Sequence, residues 1–90
     1  MKEDIQIKEQ IRQFIIKTSY VKDDLVNNDT LIFAQGIMDS MGFISIISFI
    51  ENTFSITAVD NELLEANFES VNAIAKFVTR KLQPSTNQSV

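Results

Sequence analysis

Residues 36–54 read GIMDSMGFISIISFIENTF, and the organisation of the whole chain follows from how this stretch folds. Asp39 and Ser40 sit side by side ahead of a long apolar run. Either side chain can accept hydrogen bonds from the unpaired amides of a first helical turn, so a helix starting near Ser40 is expected. Phe43, Ile46, Ile47, Ile50 and Phe54 fall within an arc of about 100° on a helical wheel, which gives one buried face and carries the helix to about Phe54. Ser45, Ser48 and Asn52 mark the opposite, solvated side. Met41, Ile44 and Phe49 are apolar yet lie outside the buried arc.

Working outward, residues 20–39 lose helical periodicity. Asp23, Asp24, Asn27, Asn28, Asp29 and Thr30 are turn and capping residues whose side chains compete with helical hydrogen bonds. Leu25, Leu31, Ile32, Phe33, Ile37 and Met38 are scattered among them, so this loop is expected to pack across the helices. Loops of such length in a compact domain are uncommon and often functional. Before it, Ile7, Ile11, Phe14, Ile15 and Thr18 recur at the spacing of one helical face, predicting a helix over about 3–19. After residue 54, Asp60 is placed to cap a short helix carrying Leu63, Leu64 and Phe68. Ser70 is placed to cap a last helix reaching Leu82, with Val71, Ile74, Ala75, Val78 and Leu82 as its core stripe. Lys76, Arg80 and Lys81 lie outside that stripe, and cations near the C-terminal end suit the helix dipole.

Totals narrow the function. Ninety residues with 44% hydrophobic content fit one globular domain, taken as residues 1–82, and the polar tail 83–90 (QPSTNQSV) is expected to be disordered. The net charge of −4 disfavours nucleic-acid phosphates as partners. With no cysteine and no histidine, the chain has no disulfide, no Cys–His nucleophile, no Ser–His–Asp triad and almost no route to a zinc site. No apolar run approaches the ~20 residues of a membrane span, and MKEDIQIKEQ carries no apolar signal segment, so a cytoplasmic monomer is expected. The cluster Asp23–Asp29 lacks the central glycine and terminal glutamate of a calcium loop. Asp60, Glu62, Glu65 and Glu69 read first as a solvated acidic face.

With these elements in this order, the chain resembles the phosphopantetheine-binding carrier family of acyl carrier proteins, peptidyl carrier domains and D-alanyl carrier proteins. The resemblance runs from about Ile5 to Leu82 and rests on the G-x-x-D-S-[LM] pattern at Gly36, Asp39, Ser40 and Met41, placed at a loop–helix junction. It implies an all-α, acyl-carrier-type four-helix bundle with three longer helices, a short third helix and a long first loop. It also implies that Ser40 receives 4′-phosphopantetheine from coenzyme A. A separate phosphopantetheinyl transferase would do this with a divalent metal, and Asp39 would orient the hydroxyl or help hold that metal. The arm would carry an acyl or aminoacyl group as a thioester between loading and condensing enzymes of fatty acid, polyketide or nonribosomal peptide biosynthesis. The protein itself would not be an enzyme. The lack of cysteine then fits, because the reactive thiol arrives with the cofactor.

The chain also departs from the pattern. Carriers of fatty-acid synthesis resemble one another in a second helix rich in acids, whereas here Glu51 is the only one, with Asp39 just ahead. Partner recognition is therefore expected at Met41, Ile44, Phe49 and Glu51, more through apolar contact than through charge. Alternatively, the long loop covers Ile44 and the short third helix covers Phe49. The order Asp-Ser-Met-Gly at 39–42 is similar to that of D-alanyl and some stand-alone peptidyl carriers, which keeps an aminoacyl cargo open beside an acyl one. The competing reading is an unmodified helical interaction module in which Ser40 is only a helix cap.

Overall fold

The computed structural model describes residues 2–82; the polar tail 83–90 lies outside the described residues. Among the described residues there are four α-helices and no strand: α1 (Lys2–Ser19), α2 (Ser40–Phe54), α3 (Glu65–Phe68) and α4 (Val71–Leu82). Two single 3-10 turns, Asp23–Leu25 and Asp60–Glu62, interrupt the connections. The chain is thus an all-α bundle with three longer helices and one short one.

Each long helix forms where its apolar residues repeat at helical spacing. From α1, Ile11 and Ile15 are buried and Ile7 and Phe14 half-buried, in a helix that packs on both α4 and α2. Thr18, expected on the same face, is exposed. The helix ends at Tyr20, whose left-handed backbone (φ 60°) lets its amide donate to the Ile16 carbonyl at 3.0 Å. In α2, Ile46 and Ile50 are fully buried, with Phe43, Ile47 and Phe54 partly so. Ser55, also left-handed (φ 55°), caps its C-terminus through the Glu51 carbonyl.

The last helix departs from its expected stripe at two positions. Val71, Ile74, Ala75 and Val78 are buried as expected, but Leu82 is exposed and Phe77 is buried. Phe77 lies beside Ile74 on the wheel, on the side away from Val78, and its ring centroid is 5.0 Å from that of Phe68. Removing a ring of this size from water contributes about 1.5–3 kcal/mol, which outweighs any gain from turning it outward.

The short helix comes later than expected. Residues from Asp60 make only a 3-10 turn, Leu63 and Leu64 have non-helical backbone, and α3 occupies Glu65–Phe68. Glu62 explains the break, because its carboxylate accepts from the Val59 amide at 3.0 Å and binds Lys81 of α4 at 2.9 Å. This closes the 59–62 turn on itself and ties it to α4. Leu63 and Leu64 are left largely exposed, and Phe68 alone carries the segment into the core.

The long first loop packs as expected. Val26 and Ile32 are completely buried. Arg12 reaches across from α1 to donate to the Val26 carbonyl at 2.7 Å. The Ile32 amide donates to Glu69 at 2.9 Å, and the Asn72 amide donates to Asn28 at 2.8 Å, fixing the loop to the start of α4. Leu25 and Leu31, in contrast, stay exposed. No helix among the described residues is long and apolar enough to cross a membrane.

Candidate functional site

The approach to α2 is built by backbone bonds. The Ile32 carbonyl accepts from the amides of both Ile37 (2.9 Å) and Met38 (3.0 Å), closing residues 32–38 into a tight coil. Gly36 takes the left-handed backbone this requires (φ 75°), where a side chain would be strained. Met38 is buried against the first turn of α2. Gly42 permits that contact, since a Cβ there would stand 2.8 Å from the Met38 sulfur.

Asp39 and Ser40 divide the roles at the helix start. Asp39 is the cap: its backbone is extended and its Oδ1 accepts from the Gly42 amide at 3.1 Å. The Asp39 carbonyl accepts from the Phe43 amide at 3.0 Å. Ser40 is the first helical residue and is exposed, and its hydroxyl has no hydrogen-bond partner among the described residues. Capping by Ser40, the basis of the competing reading, is therefore not found. The amides of Ser40 and Met41 likewise have no acceptor among the described residues. Unpaired amides at a helix N-terminus, with the dipole behind them, favour an anion.

Two clefts flank this point. One, of about 420 Å³, is floored by Phe33, Met38 and Phe43, with Ser40 and Asp39 on one side and Leu63 and Glu65 on the other. The second, of about 360 Å³, lies toward α1, between Thr18 and Ser19 on one wall and Met41 and Ser45 on the other.

The remaining expected site residues separate into two pairs. Met41 is 67% and Ile44 57% exposed, so the long loop does not cover Ile44. Phe49 is half-buried, but by α1 rather than the short helix: its ring stacks on that of Phe14 with centroids 4.2 Å apart. Glu51 is half-buried and accepts from the Ala58 amide at 2.9 Å, anchoring the segment that follows α2. Among the described residues, no group of three or more His, Cys, Asp or Glu side chains could hold a metal ion, including the Asp23–Asp29 cluster.

From the sequence alone, Gly42 has no packing role, and neither Leu63 nor Glu65 is brought beside Ser40. Gly42 was detectable, because glycine inside a helix costs about 1 kcal/mol and so signals a close approach. Leu63 and Glu65 reach the Ser40 cleft from a segment distant in sequence, and no local signal places them there. Among the described residues, Glu62 is the one carboxylate whose proton affinity is clearly displaced. The Val59 amide, and then the Lys81 ammonium, hold its pKa below the ordinary range against the opposing effect of desolvation. Comparison with protein-family models, with curated proteins and with solved structures returned no match.

Proposed function

We propose that this chain is a carrier of the acyl-carrier type, modified on Ser40 with 4′-phosphopantetheine and presenting a thioester-bound acyl or aminoacyl group to other enzymes. The observation that supports it most is a serine hydroxyl, exposed and unbonded, on the first residue of a helix whose capping is done by its neighbour Asp39. A hydroxyl committed to capping would have to give up its bond before it could be modified. This one is free while the helix beneath it is anchored by Ile46 and Ile50.

The surroundings fit the group. A phosphodiester on Ser40 would lie next to the open amides of Ser40 and Met41, which offset the negative charge of Asp39. The apolar floor of Phe33, Met38 and Phe43 suits the arm's hydrocarbon portion. In the modifying reaction, the Ser40 hydroxyl would give its proton to a base of the transferase and its oxygen would bond to phosphorus. The phosphoanhydride of coenzyme A would break, and the nucleotide portion would leave with the bridging oxygen. The second oxygen of Asp39, Oδ2, has no hydrogen bond among the described residues and is available to the transferase's divalent metal. Once attached, the arm supplies the thiol that the chain lacks, and a flexible tether raises the cargo's effective concentration near a docked enzyme.

Docking falls to Met41 and Ile44, which are exposed beside Ser40, rather than to Phe49 and Glu51, which are engaged within the fold. The test is intact mass after incubation of the full chain with coenzyme A, magnesium and a broad-specificity phosphopantetheinyl transferase. A gain of one phosphopantetheine is expected. A folded sample that gains nothing contradicts the proposal.

A further inference from the structure

The cleft beside Ser40 ends on a ladder of aromatic rings. Phe33 meets Phe43 edge-on at 5.8 Å between centroids, Phe43 meets Phe68 at 5.4 Å, and Phe68 meets Phe77 at 5.0 Å. The rings come in turn from the loop, α2, α3 and α4, so they cross the bundle behind the site. Phe43 forms part of the cleft floor, and the two rings behind it are 0% and 1% exposed. Such an interior is close-packed, and edge-to-face rings resist separation. The outer side of the cleft, in contrast, is open, with Ser40, Asp39, Leu63 and Glu65 all exposed. Whatever is tethered to Ser40 meets a shelf with apolar side chains below and water above.

We infer that this chain carries a small cargo, an aminoacyl or short acyl group, and that Phe43 and Phe68 shut the bundle interior against a long acyl chain. The inference rests on the carrier reading above. A long alkyl chain is stabilised by complete enclosure, and here it would lie half in water or have to evict Phe43. An aminoacyl group loses nothing on an open shelf, because its ammonium keeps its water. The carboxylates of Asp39 and Glu65 at the rim modestly favour that cation.

The test loads the full chain with acetyl, alanyl, butyryl and octanoyl arms by transfer from the corresponding coenzyme A thioesters. Intact mass establishes attachment first. Each thioester is then cleaved with hydroxylamine, which removes the acyl group as a hydroxamate and frees the arm's thiol. Rates are divided by those of the same acyl-pantetheines free in solution. All four ratios are expected to agree within about twofold, since enclosing even two methylenes would slow cleavage roughly tenfold. Octanoyl protection that exceeds acetyl protection by tenfold overturns the inference. Phe43→Ala, with Phe43→Val in reserve should the first not fold, is expected to create octanoyl protection about tenfold above the acetyl protection of the same variant. No protection in a folded variant removes Phe43 from its assigned role. Absence of the arm, seen by mass before any cargo is compared, refutes the carrier reading and this inference with it.

Discussion

Two serines stand at helix starts in this protein, and they do opposite things. Ser70, just before α4, is 7% exposed and its hydroxyl accepts from the Ala73 amide at 3.1 Å. Ser40, one residue further into its helix, is exposed and bonded to nothing among the described residues. The difference comes from the preceding residue. Glu69 uses its backbone carbonyl to bind the loop at Ile32 and leaves capping to Ser70, whereas Asp39 takes the cap itself and releases Ser40. A serine at a helix start is thus either part of the fold or available for chemistry, depending on which residue accepts from the third amide of the turn.

The largest effect that tests this contrast is all-or-none. Ser40→Ala should abolish the phosphopantetheine mass gain while shifting stability by no more than about 0.5 kcal/mol, as for an exposed side chain without partners. Ser70→Ala should do the reverse, retaining full modification. Loss of Ser70's bond at a mostly buried cap should cost about 1–2 kcal/mol, or several degrees of melting temperature. If Ser70→Ala blocks modification in a folded sample, the two starts are not independent.

Asp39 belongs to both sides of the comparison. Asp39→Ala should destabilise by about 1 kcal/mol in urea unfolding. Asp39→Asn keeps a capping oxygen and should recover most of that loss, while the modification rate of both variants falls if the second carboxylate oxygen holds the transferase's metal. Equal modification by Asp39→Asn and the unchanged chain would limit Asp39 to capping. Next in size, Met41→Ala should reduce transfer to an enzyme partner by about tenfold with little change in stability, as expected of an exposed apolar contact. A large drop in melting temperature with normal transfer would overturn the docking assignment.

The smallest effect concerns the turn at residues 59–62, ahead of α3. Glu62 has a depressed pKa in the folded state, so its contribution is fully present above the carboxylate's unfolded pKa and is lost as pH falls through the folded value. The chain should therefore lose stability on acidification below the ordinary glutamate range, and Glu62→Gln should flatten that part of the pH profile. An unchanged profile in Glu62→Gln would place the acid sensitivity elsewhere.

Much of this protein is written in local sequence. The extents of α1, α2 and α4 follow from apolar residues recurring at helical intervals, because a helix forms where one face can be buried against a neighbour. The helix start at Asp39-Ser40 is equally local, since only nearby side chains can reach the free amides of a first turn. What that stretch does not reveal is which of the two residues caps. Asp39 takes that position because residues 32–38 coil on the Ile32 carbonyl and Met38 seats against Gly42. The delayed third helix also needed tertiary structure, because Glu62 closes its turn partly by pairing with Lys81, nineteen residues away. Phe77 and Phe49 likewise found their partners, Phe68 and Phe14, across the bundle. Periodicity says how a segment coils, but burial is a property of two surfaces, and the second surface is supplied by another part of the chain.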